Sequence, residues 1–200
     1  MLAIAEAWLA QRNGPQQQAT AEQWLSGHGS VQQIETALRS VLGKLWLNAI
    51  KHGLAWAVKF GIAATFINRI VASDLVKRFE HAWVGEIAHT YMRYLAKALA
   101  GYDGTSAPDL AQLLSDVLAD PAHSELIALT EVQRAMNEAL LETYKAAQVK
   151  TVNWVTTSAD PCPECVANRE ASPWPLGHPF PSGVIAPPDH PRCQCHLEPA

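Results

Sequence analysis

The chain has no cysteine before position 162, and its first 150 residues hold only three prolines, Pro15, Pro108 and Pro121. It has no Gly-rich phosphate loop, no Gly-x-Ser-x-Gly elbow and no internal repeat. Those absences remove the usual sequence signatures of nucleotide binding, serine hydrolysis and solenoid folds. No uncharged apolar run reaches the roughly 18 residues that a membrane span needs. The best stretch, between Lys51 and Arg69, is cut by Lys59. The N-terminal MLAIAEAWLAQRNG carries acidic Glu6 where a secretory leader would be positive, and its apolar stretch is short and interrupted. Charge is also sparse, at 17% of 200 residues with a formal net charge of −4, which argues against a general nucleic-acid binder. With 48% hydrophobic residues the composition is still globular rather than disordered. The expectation is a soluble protein, without membrane contact, made and first kept in a reducing cytoplasm.

What is present is unevenly placed. All four cysteines lie between 162 and 195, and ten of the 13 prolines between 161 and 199. Proline lacks the backbone donor and breaks helices, so the chain changes regime near residue 150. The predicted organisation is a helical domain over 1–150, followed by a strand and a Pro-rich cysteine knob over 151–200. The predicted fold class is mostly α, with a small irregular α+β C-terminal region stabilised by a Cys/His metal site. Charge is uneven as well. Residues 44–97 carry eight Lys/Arg against three Asp/Glu, residues 98–157 three against eight, and residues 158–200 two against five. The basic middle is the candidate DNA face, through Lys51, Lys59, Arg69, Lys77 and Arg78, although such charges usually serve as solvated helix faces.

Helical period dominates the first part. Two short helices should hold Trp8 and Trp24, joined by Asn13-Gly14-Pro15. Ser30 and Gln33 suggest a capping box, after which Ile34, Leu38, Val41, Leu42, Leu45 and Ala49 recur at helical spacing. The same period continues over 54–70 through Trp56, Phe60, Ala63 and Ile67. Ser73 can cap a helix whose stripe is Leu75, Phe79, Trp83, Ile87, Tyr91, Leu95 and Leu99, with Gly101 as a left-handed stop. Ser106 and Pro108 open a shorter helix that ends before Pro121. A last long helix should cover about 123–147, burying Ile127, Ala135, Met136, Leu140 and Tyr144. Glu86 and His89 form one Glu-x-x-His pair, half of a di-iron set, and His28, His52, His81 and His123 have no partner at ligand spacing. This region reads as a scaffold.

The tail differs. Residues 151–157 (TVNWVTT) are β-branched and alternate, as a strand does. The following 42 or so residues offer only seven large apolar side chains, Val166, Trp174, Leu176, Phe180, Val184, Ile185 and Leu197. Burying these cannot offset the entropy of ordering so long a segment, so the tail needs a cross-link, a metal or extensive docking. Cys162-Pro-Glu-Cys165 and Asp189-His190-Pro-Arg-Cys193-Gln-Cys195-His196 supply the means. A tight Cys-x-x-Cys turn lets two thiolates face one ion, and Cys-x-Cys on an extended segment puts two more on one face. Zinc held by the four sulfurs, with His190 as first reserve, ranks ahead of disulfides and of plain thiols. A redox Cys-x-x-Cys would require a strand–helix context that the sequence does not announce. A metal-dependent nuclease using His178, Asp189, His190 or His196 is a further alternative. So is a zinc-ribbon module for nucleic acid.

The order of elements is more specific than any one of them. Leu129-Thr-Glu-Val-Gln-Arg-Ala-Met-Asn137 is followed by the Trp154 strand, Asp160, Cys162 and Cys165, then PFPSG from 179 and PPDHPRCQC from 187. Over about residues 130–195 the chain resembles the phage Mu F-like minor head (head morphogenesis) family. The resemblance implies a non-enzymatic minor capsid component inside the head near the portal, made in the bacterial host cytoplasm. It would act in assembly and in DNA packaging or delivery. Its implied partners are portal and capsid proteins and packaged DNA, with no small-molecule substrate. Thr130, Glu131, Arg134 and Asn137 correspond to the family's helix motif, Trp154 and Asp160 to its strand and turn, and Cys162, Cys165, His190, Cys193 and Cys195 to its cysteine cluster. Where the family often has Asn and Arg, this chain has Arg192 and Gln194. A glycine that follows the second cysteine there is missing within Ala167–Ala171. Some relatives carry an enzymatic or toxin module beyond this region, and none is expected here.

Overall fold

The computed structural model describes residues 1–11, 18–28, 30–63 and 72–200. It is mostly helical, with a small C-terminal sheet. The helices are α1 (Leu2–Gln11), α2 (Gln18–Gly27), α3 (Ser30–Lys59), α4 (Ala72–Gly101), α5 (Ala107–Ala119), α6 (Pro121–Ala146) and α7 (Pro163–Glu170). Strands β1 (Thr151–Val155), β2 (Trp174–Pro175) and β3 (His196–Pro199) pair antiparallel in the order β2-β1-β3. No described helix is long and apolar enough to cross a membrane. The expected Asn13-Gly14-Pro15 joint, the caps of Ser30 and Ser73, Ile67 and Arg69 lie outside the described residues or side chains.

The chain forms two compact units, and they do not divide at residue 150. One contains Met1–Ser40 and His81–Ser124, the other Val41–Glu80 and Glu125–Ala200. The tail shares a unit with α6 because its few apolar side chains gather on that helix. In the first unit, Ala5 and Trp8 of α1, Ala21 and Leu25 of α2, Met92, Leu95, Ala96 and Leu99 of α4, and Leu110 and Leu114 of α5 form one buried cluster. Trp8 meets Trp24 edge-on at 5.2 Å between ring centroids. Ser106 caps α5 as expected, its hydroxyl accepting from the Asp109 N–H at 3.3 Å, with Pro108 in the first turn.

The predicted α4 stripe is buried throughout except at Trp83, which is half-buried. Gly101, however, is the last helical residue and not a left-handed stop. Helix α3 buries Leu42, Trp46, Ala49, Ile50 and Ala57, whereas the expected Val41 is 66% exposed. The helix also ends earlier than its apolar period suggests. Gly61 adopts φ +78, and its N–H bonds the Val58 carbonyl at 3.0 Å while the Ile62 N–H reaches that of Ala57 at 3.3 Å. That pair of bonds is a glycine-terminated helix end, which overrides the continuing hydrophobic spacing.

In the second unit the core joins Ala57, Leu140, Leu141 and Tyr144 to Val152, Trp154, Phe180 and Leu197, together with Cys165, Cys193 and Cys195. Alternation along β1 points Val152 and Trp154 inward, and Leu197 lies opposite Trp154 in the register. Phe180 packs edge-on against Trp154 at 5.1 Å. Helices α3 and α6 approach closely at Gly53, where an added Cβ would lie 2.6 Å from the Met136 carbonyl oxygen. Gly53→Ala should therefore cost about 2 kcal/mol of unfolding free energy through overpacking, read by chemical denaturation.

Candidate metal centre

The site starts where β1 delivers the chain to α7. Cys162 is the N-cap of that helix, and its Sγ accepts the Cys165 N–H at 3.3 Å. Pro163 occupies the first turn, where its missing donor costs nothing. Cys-x-x-Cys thus does sit in a strand–helix context, contrary to the sequence reading. The short polar segment PECVANRE between prolines had not read as a helix. Asn168 on α7 locks the following loop: its side chain donates to Ser182 Oγ at 2.8 Å and accepts the Ser182 N–H at 3.1 Å.

The second half of the site is held from α6. Asn137 is fully buried and acts as a strand partner for the Cys-x-Cys segment. Its Nδ2 donates to the Cys195 carbonyl at 3.0 Å, and its Oδ1 accepts the Leu197 N–H at 3.0 Å. Two turns further along, the Tyr144 hydroxyl donates to the Leu197 carbonyl at 3.2 Å. Seven residues before Asn137, Thr130 Oγ1 accepts the Arg192 N–H at 3.2 Å while donating to the Leu126 carbonyl at 2.7 Å. Arg192 itself has φ +63, a left-handed conformation in which asparagine and glycine are far more at ease than arginine. Glu131, 4% exposed, accepts from Trp46 Nε1 at 3.2 Å and pairs with Arg134 at 3.2 Å. Thr157 Oγ1 donates to the Gln194 carbonyl at 2.6 Å, tying the far side of the segment to the end of the β1 region.

These anchors bring five donor side chains together. Cys162, Cys165 and His190 form one set, and Cys165, Cys193 and Cys195 another, with the ligand atoms in each set lying within 4.8 Å of one another. Cys165 is common to both. The Cys165 Sγ···Cys193 Sγ distance is 3.7 Å and the Cys165 Sγ···His190 Nε2 distance 3.6 Å. A tetrahedral ion with the usual zinc–ligand bond lengths has sulfur–sulfur edges of about 3.8 Å and sulfur–nitrogen edges of about 3.5 Å. Those two edges are already at ligand spacing. Cys162 Sγ lies 3.1 Å from His190 Nε2, a hydrogen-bond length. All four cysteines are free thiols.

His190 lies in the cluster beside Cys162 and Cys165. Its Nδ1 lies 2.8 Å from the Pro191 carbonyl, which can only accept, so Nδ1 carries the proton and Nε2 turns its lone pair to the cysteines. The surroundings divide the three buried thiols. The Cys193 thiol is held down to about 5, first by the Cys195 side chain and then by the Asp189 and Cys195 backbone N–H groups, against the cost of burial. Burial pushes Cys165 up to about 12, and Cys195 is pushed up by its place beside Cys193.

The remaining expected residues are dispersed. Trp154 is buried behind β1, and Asp160 is an exposed turn residue whose N–H bonds Ser158 Oγ at 3.2 Å. His178 is exposed, Asp189 Oδ2 is buried without a donor among the described residues, and His196 stacks on Trp56 at 4.8 Å and bonds Glu198 at 3.0 Å. Lys51 and Lys59 are exposed, Lys59 lying 5.9 Å over the Trp56 ring. Lys77 pairs with Asp74 at 3.6 Å and Arg78 with Glu142 at 3.7 Å. No family model, curated protein or solved structure matches the chain. Function must be read from the site.

Replacing Asn137 with Ala leaves the Cys195 carbonyl and the Leu197 N–H unpaired in a buried setting. It should cost about 3 kcal/mol in chemical denaturation, whereas Asp160→Ala should cost about 0.5 kcal/mol or less.

Proposed function

We propose that this chain is a minor head protein of the Mu F-like kind, and that its C-terminal knob is closed by one structural zinc ion. The observation that carries the reading is the meeting of α6 with the Cys-x-Cys segment. Thr130 and Asn137, two residues of the motif behind the resemblance, hold the backbone of Arg192, Cys195 and Leu197. A motif split between a helix and a cysteine cluster about 60 residues away then has one physical purpose, to fasten the knob to its helix. The left-handed Arg192 stands where the family often has asparagine, the residue best suited to that backbone.

Zinc is favoured by the chemistry of the donors. Soft thiolates with one imidazole, gathered in two overlapping sets, suit zinc, whereas magnesium and calcium prefer oxygen. The proposed ligands are Cys162, Cys165, Cys193 and His190, with Cys195 beside Cys165 and Cys193. A zinc ion would supply folding free energy on the order of 10 kcal/mol to a segment poor in apolar side chains. It would act as a cross-link and not as a catalyst. In the head, the helical region would dock on portal or capsid protein, and Lys51 and Lys59 are the basic residues best placed for packaged DNA.

Two measurements test this reading. Native mass spectrometry should find one zinc per chain, released on denaturation with four free thiols. Cys195→Ser should keep the ion, and His190→Ala should lower its affinity about 100-fold or more. A metal-free wild-type chain would end the zinc assignment. Proteomic analysis of purified particles should detect the chain at low copy, and its absence from normally assembled particles would end the head assignment.

A further inference from the structure

The donor cluster is graded in exposure. His190 is exposed and Cys162 half-buried, whereas Cys165, Cys193 and Cys195 are only 1%, 2% and 3% accessible. A small oxidant arriving from solvent therefore meets Cys162 first. That sulfur lies 3.1 Å from His190 Nε2, and His190 is in turn oriented by the Pro191 carbonyl at 2.8 Å from Nδ1. A nucleophile beside a base that a third group holds in place is the arrangement of activated thiols. A second thiol stands ready one helical turn on. The Cys165 sulfur lies within 4.8 Å of the Cys162 sulfur, and the Cys165 N–H points at that same sulfur at 3.3 Å.

From this geometry we propose that the outer edge of the cluster is also an oxidation site, at which a peroxide closes a Cys162–Cys165 disulfide and expels the ion. Cys162 sulfur attacks one peroxide oxygen and the O–O bond breaks. The thiol proton passes through His190 Nε2 to the departing oxygen, which leaves as water, and Cys162 becomes a sulfenic acid. The Cys165 thiol then attacks that sulfur, the S–S bond forms, the S–O bond breaks, and a second water leaves. Two thiols and one hydrogen peroxide thus become one disulfide and two waters. With zinc bound the sulfurs are thiolates, and the two protons that complete the waters come from solvent. Cys193 and Cys195 stay reduced, and an ion deprived of two ligands departs. The release of zinc rests on the zinc assignment above, but the disulfide does not.

The test uses the full chain, assayed for zinc and then titrated with hydrogen peroxide. Released zinc is followed with a chromogenic chelator, and disulfides are located by peptide mass mapping after alkylation. The expected result is zinc release in step with the loss of two hydrogens within the peptide holding Cys162 and Cys165. Cys193 and Cys195 should be recovered alkylated, and dithiothreitol with added zinc should restore the starting state. Cys162→Ser should slow release about ten-fold. A first disulfide between Cys165 and Cys193, or peroxide resistance of the cluster, would overturn the inference. A chain that purifies without zinc but still closes Cys162–Cys165 would keep the oxidation site and discard the metal. Should Cys162→Ser fail to fold by circular dichroism, the location of the wild-type disulfide decides alone.

Discussion

The knob depends on one buried side-chain amide. Asn137 offers a donor and an acceptor at the spacing of a β-strand, and the Cys-x-Cys segment takes both. Without it, the Cys195 carbonyl and the Leu197 N–H would each lose a partner in a buried setting. The segment thereby gains a fixed position on a rigid helix, and the cysteines on it gain a fixed direction. The half of the cluster that carries Cys193 and Cys195 follows from that placement. Thr130 and Tyr144 extend the same logic along one face of α6, so the helix acts as a rail on which irregular backbone is mounted.

This arrangement resolves the shortage of apolar side chains in the tail. The tail does not build a core of its own. It lends Val152, Trp154, Phe180 and Leu197 to one that Leu140, Leu141 and Tyr144 have already begun, and the cysteines fill its polarisable edge. Hydrogen bonds from helix side chains satisfy the backbone where regular ladders cannot run, since β2 contains only Trp174 and Pro175. Docking and donor clustering both meet the need that the sequence announces.

How much of this was legible follows from what each signal depends on. The α4 stripe could be read residue by residue because burial along a long helix imposes its period on the sequence. The end of α3 could not, since apolar spacing carries on past Gly61 and only the backbone reveals the stop. Helix α7 was hidden for the opposite reason: its residues are polar and flanked by proline, and its start is fixed by Cys162, a residue rarely thought of as a cap. The cysteines could be grouped from their spacing, but the orientation of the His190 ring could not, because it depends on a bond to the carbonyl of its own neighbour, which no spacing rule encodes. The boundary at residue 150 marks a change in composition but not in packing, because compositional statistics do not see that most of α6 packs in one unit with the tail.

The sheet order has a last consequence. β1 is the central strand, and on one side its strand partner is β3, which begins at the residue immediately after Cys195. The fastening of Cys195 therefore also guards an edge. If that fastening were released, β1 would present unpaired N–H and C=O groups beside Trp154, a template for any free strand of matching length. Another copy of the same chain carries such a strand in its own His196–Pro199, so the first product of a failing knob would be exchange of β3 between molecules.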